Sequence, residues 1–249
     1  MRVGTSLPEF FTRTKLEDPA VARPLPWNMA TGSDLAVWEW LAENPREQNA
    51  FNDFMFVQTT GLAGFIEKFP LEEYLDINDD MERIQFVDVG GGSGHISRAV
   101  LAKYPSLRGK IVVQDREDAN TVTRNDFRKE GIQNSVHDFF TPQPLKEAKV
   151  FYMRNILHNW PTNKCKIILE QLRDAMAPDS VILVDDIVIP PTKSHWYSTH
   201  MDLMMLTNLG ATERTESQFT ELFDSVGLKV KQLVRYNSYG PAIQAVVRK

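Results

Sequence analysis

Two groups of residues in this chain have types and spacings suited to chemistry. The first is Phe86-Val87-Asp88-Val89-Gly90-Gly91-Gly92-Ser93-Gly94, an apolar segment running through an acid into alternating glycines. Such a turn brings bare backbone close to a nucleotide-like ligand, and a following helix from about Ile96 directs its amides at it. A dinucleotide fingerprint requires a third glycine or alanine where His95 stands, and no Gly-Lys-Ser/Thr follows to make a phosphate loop. The remaining pattern, acid-x-Gly-x-Gly-x-Gly through Asp88, Gly90, Gly92 and Gly94, points to S-adenosylmethionine. Asp115 closes the apolar run Lys110-Ile-Val-Val-Gln-Asp115, where a carboxylate after the second strand accepts ribose hydroxyls. A turn role for Asp115 is the competing reading. The second group is Arg154-Asn155-Ile156-Leu157-His158-Asn159-Trp160-Pro161, which places His158 a few residues past a strand end, where ligands lie in open α/β sheets.

The elements that must position these groups alternate. Strands are expected at 84–89, 110–115, 135–138, 149–154 and 180–187, with helices at 96–104, about 118–130 and 162–176 between them. That rhythm means βαβ units and a parallel sheet. After a helix at 215–226, strands at 229–236 and 242–248 are separated only by Asn237 to Pro241, too short for a crossover, so they must pair antiparallel. The expected fold class is therefore α/β, a Rossmann-like seven-stranded methyltransferase sheet with an antiparallel C-terminal hairpin. Residues 1–80 read differently. Pro8, Pro19, Pro24 and Pro26 punctuate the start, and amphipathic helices at 34–43 and 46–69 follow, anchored by Trp38, Trp40, Leu41, Phe51, Phe54, Met55 and Val57. The expected division is a helical acceptor lid over 1–80 and a cofactor-binding catalytic domain over 81–249.

Composition bounds the rest. The chain has 249 residues, is 42% hydrophobic and carries a formal net charge of −5, enough for a sizeable core. No basic cluster suggests nucleic acid as a partner, and a negative balance suits a pocket for a sulfonium cation. Cys165, the single cysteine, rules out an internal disulfide and reads as a small buried residue in a reducing compartment. No signal pattern and no apolar run near ~20 residues is present, so the expected location is the cytoplasm, off the membrane. His195 and His200 lie five apart in a stretch expected to be irregular, not at the i, i+4 spacing of paired ligands, and no catalytic metal is expected.

The segment around His158 resembles the Leu-His-Asp-Trp signature of plant and fungal caffeate-type O-methyltransferases dependent on S-adenosylmethionine, with Asn159 in place of the aspartate. The resemblance continues through Asp88 to Gly94, Asp115, Asp138-Phe139-Phe140, Val184 to Pro190 and Glu213-Arg214-Thr215-Glu216, and covers nearly all of residues 30–249. It implies that His158 is the general base toward a phenol, whose pKa near ~10 leaves it mostly protonated at neutral pH. It also implies that Asp186 and Glu213 orient the imidazole; Asp186 stands where the family often has glutamate, one methylene longer. By the same resemblance Asp138 and Phe139 lie along the adenine, Arg154 contacts the cofactor near its reacting end, and Met55, Met205 and Asn159 face a phenolic or polyketide-type acceptor.

Members of that family generally carry a preceding helical segment that dimerises and closes the partner's pocket. This chain is expected to be a shortened homologue or the C-terminal part of a longer design, with its homodimer weakened. Two other functions stay open: cofactor-assisted pericyclic or dehydration chemistry without methyl transfer, and a non-catalytic cofactor-binding partner.

Overall fold

The computed structural model describes residues 3–17, 24–60, 64–77, 83–117 and 124–249. Five helices precede the sheet: α1 (Leu7–Thr14), α2 (Pro26–Thr31), α3 (Val37–Glu43), α4 (Pro45–Thr60) and α5 (Gly64–Lys68). Residues 61–63, inside the single helix expected over 46–69, lie outside the described residues. Trp27, Leu41, Val37 and Leu25 bury themselves together in a small cluster, and Trp40 meets Trp27 edge-on at 5.3 Å.

The remainder is a doubly covered sheet. Its strands are β1 (Phe86–Val89), β2 (Ile111–Asp115), β3 (Gln133–Val136), β4 (Val150–Arg154), β5 (Val181–Ile189), β6 (Arg214–Thr215), β7 (Leu228–Arg235) and β8 (Pro241–Arg248). They run in the order β3-β2-β1-β4-β5-β8-β7, with β6 paired parallel to the end of β5 at Val188 and Ile189. The β1, β2, β3, β4 and β5 pairings are parallel, while β8 pairs antiparallel with both β5 and β7. The main path thus has the seven strands and the hairpin expected. Strands β1, β2, β4 and β5 are buried almost end to end, as continuous apolar runs require when helices cover both faces.

One face packs on α8 (Thr162–Arg173) and α10 (Glu216–Ser225), through Leu169, Leu172, Phe219 and Phe223. The other packs on α5, α6 (His95–Lys103) and α7 (Arg124–Glu130), through Phe65, Val100 and Phe127. The expected helix over 118–130 is seen from Arg124; residues 118–123 lie outside the described residues. Chain order reverses at β1, whose neighbours β2 and β4 carry the connections to opposite sides, which is the switch point where ligands bind at the strands' carboxyl ends in open α/β sheets.

Two stretches differ from expectation, and the first is β3, which lies at Gln133–Val136, two residues before the expected 135–138. The second, holding His195 and His200, is not irregular: it forms α9 (Trp196–Leu209), whose N-cap is His195, with Nδ1 accepting the Tyr197 N–H at 3.2 Å. Leu203 and Met204 are exposed while Met205 is buried, so no apolar stripe announces this helix. It packs against α2 and against the 3₁₀ turn Leu157–Asn159.

Candidate active site

The glycine loop follows β1 directly. Gly90 has φ 72°, a backbone conformation that strains any side chain, and a Cβ there would also meet the Ile156 Cδ1 at 2.5 Å. At Gly92 a Cβ would meet nothing within 4 Å, and its N–H donates to the Asp115 Oδ2 at 2.8 Å. The Arg116 N–H donates to Oδ1 of the same carboxylate at 2.7 Å, so Asp115 is fixed beside the loop. Asp88 is buried beneath it and accepts the Ser97 hydroxyl at 2.8 Å. Burial pushes its carboxyl up to about 6, against the Ser97 hydrogen bond.

Asp138 is exposed and uses Oδ1 to accept the Phe140 N–H at 3.0 Å. Phe139 and Phe140 lie edge-on at 4.9 Å, and Trp160 closes the cluster 4.8 Å from Phe140. Phe139 also approaches Gly90, so the loop and this aromatic wall adjoin.

Arg154 ends β4. Its side chain is only 8% exposed, its Nε lies 3.7 Å from Asp185 Oδ2, and its Nη1 is buried with no hydrogen-bond partner. His95, the first residue of α6, has both ring nitrogens buried and unpartnered. Burial, with the charges of Arg154 and Arg98, pushes it down to about 4, so it is neutral.

His158 sits in the 3₁₀ turn after β4 and is 4% exposed. Its Nδ1 is 2.8 Å from Glu213 Oε1. Burial works against the imidazolium, but the carboxylates of Glu213 and Asp186 outweigh it and push His158 up to about 9. Asp186 belongs to this group by charge and not by hydrogen bonding: it is buried and neither oxygen has a hydrogen-bond partner. Burial pushes its carboxyl up to about 7, with His158 pulling the other way. The shorter side chain leaves Glu213 as the group that orients the imidazole.

Three residues at the centre were not singled out as site residues by the sequence. Arg214 is buried and donates from Nη1 to the Leu157 carbonyl at 2.9 Å and from Nη2 to the Trp160 carbonyl at 2.8 Å. Those carbonyls bracket His158, so the adjacent residues Glu213 and Arg214 grip one turn, one by its imidazole and one by its backbone. Asp185 anchors Arg154, and Trp160 completes the aromatic wall. All three lie inside segments that the sequence marks without giving them a role: Arg214 in Glu213-Arg214-Thr215, Trp160 in Leu157-His158-Asn159-Trp160, and Asp185 in the Val184 to Pro190 stretch. Cys165 is buried with Sγ 3.2 Å from the Leu157 carbonyl, and burial pushes its thiol up to about 11, which leaves it inert.

On the expected acceptor side, Asn159 donates from Nδ2 to the Asn155 carbonyl at 2.7 Å, and Met205 is buried on the helix that packs on the His158 turn. Met55 is half-buried on α4. Among the described residues no cluster of three or more His, Cys, Asp or Glu is arranged to hold a metal, and no helix is long and apolar enough to cross a membrane.

A Rossmann-like sheet with a glycine loop after its first strand and a buried imidazole–carboxylate pair past its fourth defines a small-molecule methyltransferase class. The chain belongs to the O-methyltransferase domain family, whose model matches residues 13–229. It is 34% identical over 243 residues to demethylsterigmatocystin 6-O-methyltransferase of Aspergillus flavus, covering 98% of this chain and 62% of that protein. It is 36% identical over 209 residues to demethylsterigmatocystin 6-O-methyltransferase stcP of Emericella nidulans, covering 84% of this chain and all of that protein. The solved structure of LepI in complex with SAM superposes with a TM-score of 0.89 at 30% identity, over 99% of this chain and 64% of that one. The chain thus spans less than two thirds of the Aspergillus flavus relative and of LepI.

Proposed function

We propose that this chain binds S-adenosylmethionine and supports methyl transfer to a hydroxyl of a small aromatic or polyketide-type secondary metabolite. The observation that carries the reading is the buried His158–Glu213 pair at 2.8 Å, set one short turn beyond the strand that borders the glycine loop. The chain's residues fit the cofactor. Asp115 offers a fixed carboxylate beside a loop whose Gly92 opens onto free space, Phe139 and Phe140 offer aromatic surface, and Arg154 offers an unpartnered N–H. When bound, the cofactor supplies an electrophilic methyl group on sulfur.

Asp115 receives the ribose hydroxyls, and Asp138 with Phe139 borders the adenine. Met205, Met55 and Asn159 border the acceptor, with the helices of residues 1–80 as its lid and the catalytic domain over 81–249. His158 in its neutral form takes the acceptor's proton as the oxygen reacts, and Glu213 stabilises the imidazolium that results. Asp186 adds a second negative charge without touching the ring. Because the carboxylates hold the resting imidazole protonated, turnover rises with pH through the His158 value near 9. The Leu157-His158-Asn159-Trp160 segment supports a place near the caffeate-type members, and the single cysteine supports a cytoplasmic setting.

Calorimetry with S-adenosylmethionine and its demethylated product tests the binding half of this reading; no heat from either refutes it. Incubation with labelled cofactor and a panel of phenols tests the chemistry. Labelled ether is the expected product, and rearranged but unlabelled acceptor would refute methyl transfer.

A further inference from the structure

Asp185 and Asp186 are neighbours on β5, and in a strand neighbours face opposite sides of the sheet. Asp186 faces His158. Asp185 faces the side covered by α5 and α6, and the proton chemistry does not use it. It is 2% exposed and accepts two phenols, Tyr152 at 2.5 Å on Oδ2 and Tyr236 at 2.7 Å on Oδ1. Both phenols are themselves buried, Tyr152 on β4 and Tyr236 just past β7. Arg154 brings its Nε edge to 3.7 Å from the same carboxylate.

Three strands therefore converge on one buried anion, and the group they jointly constrain is a guanidinium. A buried N–H left without a partner costs about 1–3 kcal/mol, so Nη1 of Arg154 needs a partner that arrives from outside the chain. Its charge acts on Asp88 and on His95, the acid before the glycine loop and the first residue after it. β4 also runs parallel beside β1 with Tyr152 opposite Asp88, so Arg154 at the end of β4 stands level with the start of that loop. The one anionic group on S-adenosylmethionine is its carboxylate, and a guanidinium is the side chain best shaped to meet one.

We propose that Asp185, Tyr152 and Tyr236 are positioning residues that hold Arg154 by its Nε edge and reserve its Nη1 for the carboxylate of the bound cofactor. This rests on the reading that the chain binds S-adenosylmethionine. Its consequence is selectivity: the set recognises the amino-acid end of the ligand and is indifferent to the nucleoside end.

The test compares S-adenosylhomocysteine with 5′-methylthioadenosine, which keeps the adenosine and the sulfur but lacks the amino acid, by calorimetry on the full chain. R154M is expected to weaken S-adenosylhomocysteine about 10- to 100-fold, as loss of one charged hydrogen bond implies, and to leave methylthioadenosine unchanged. D185N is expected to weaken the first ligand about tenfold and spare the second, and D185N/R154M to bind no worse than R154M alone. If D185N does not fold, Y236F keeps the carboxylate and one phenol, and the same selective loss is expected in it at about threefold. Equal losses for both ligands, additive losses in the double variant, or unchanged S-adenosylhomocysteine binding in folded D185N or Y236F would overturn the proposal alone. Failure of the unaltered chain to bind either ligand would overturn the functional reading and this proposal with it.

Discussion

Glu213→Gln isolates one charge at the candidate site. The substitution keeps an oxygen for the 2.8 Å contact with His158 Nδ1 and removes the carboxylate that lifts the imidazole against its burial. His158 stands at about 9 against an ordinary 6.5, a difference of about 3 kcal/mol, or about 300-fold, in favour of the imidazolium. With Glu213 neutralised, burial opposes only the charge of Asp186, and His158 is expected to fall by about two pH units. The change pulls activity two ways. Near neutral pH more of the base is unprotonated, while above pH 9 the imidazolium formed in the reaction lacks its counter-ion and turnover drops about tenfold or more. The assay is a histidine NMR titration, with the His158 signal identified by its loss in His158→Gln, followed by turnover from pH 6 to 10. A His158 titration displaced by less than about half a pH unit would refute the electrostatic argument.

The same raised value predicts how stability depends on pH. A histidine raised in the folded state contributes fully below its unfolded value and loses that contribution as pH rises through the folded one, so melting temperature should decline between about 6.5 and 9. The raised Asp186 acts with the same sign at lower pH, and a melting temperature that is flat across both ranges would contradict both. Arg214→Met removes two charge-assisted bonds to the carbonyls around His158 and is expected to cost about 2–5 kcal/mol by denaturant titration; an unchanged midpoint would deny the residue its bracing role. Asp115→Ala frees the Gly92 N–H and should weaken cofactor binding about 10- to 100-fold by calorimetry, with the thermal midpoint little altered.

The sheet was legible because buried parallel strands are written as apolar runs, and Phe86 to Val89, Ile111 to Asp115 and Val181 to Ile189 each read that way. The edge strand Gln133–Val136 is not apolar, and the sequence reading slid it two residues toward Val136 and His137. Helix α9 escaped because Leu203, Met204 and Met205 are consecutive and only the last is buried, a pattern with no helical period. At the site, Gly90, Asp115 and His158 announce themselves by spacing. Asp185 does not: its partners Tyr152 and Tyr236 lie 33 and 51 residues away, and only the register of β4, β5, β8 and β7 brings them together. Asp186 was placed near His158 by resemblance, but whether it would touch the ring depended on one methylene, which a one-letter code cannot show.

Strand β6 has only two residues, yet it aligns the segment that meets the imidazole and its turn. Extended backbone alternates sides at every step, so a one-residue slip of this rung against β5 would exchange the places of an anion and a cation. The imidazole would then face a guanidinium, and the carbonyls of Leu157 and Trp160 a carboxylate. This short rung therefore leaves the largely buried connection between α9 and α10 little freedom in length.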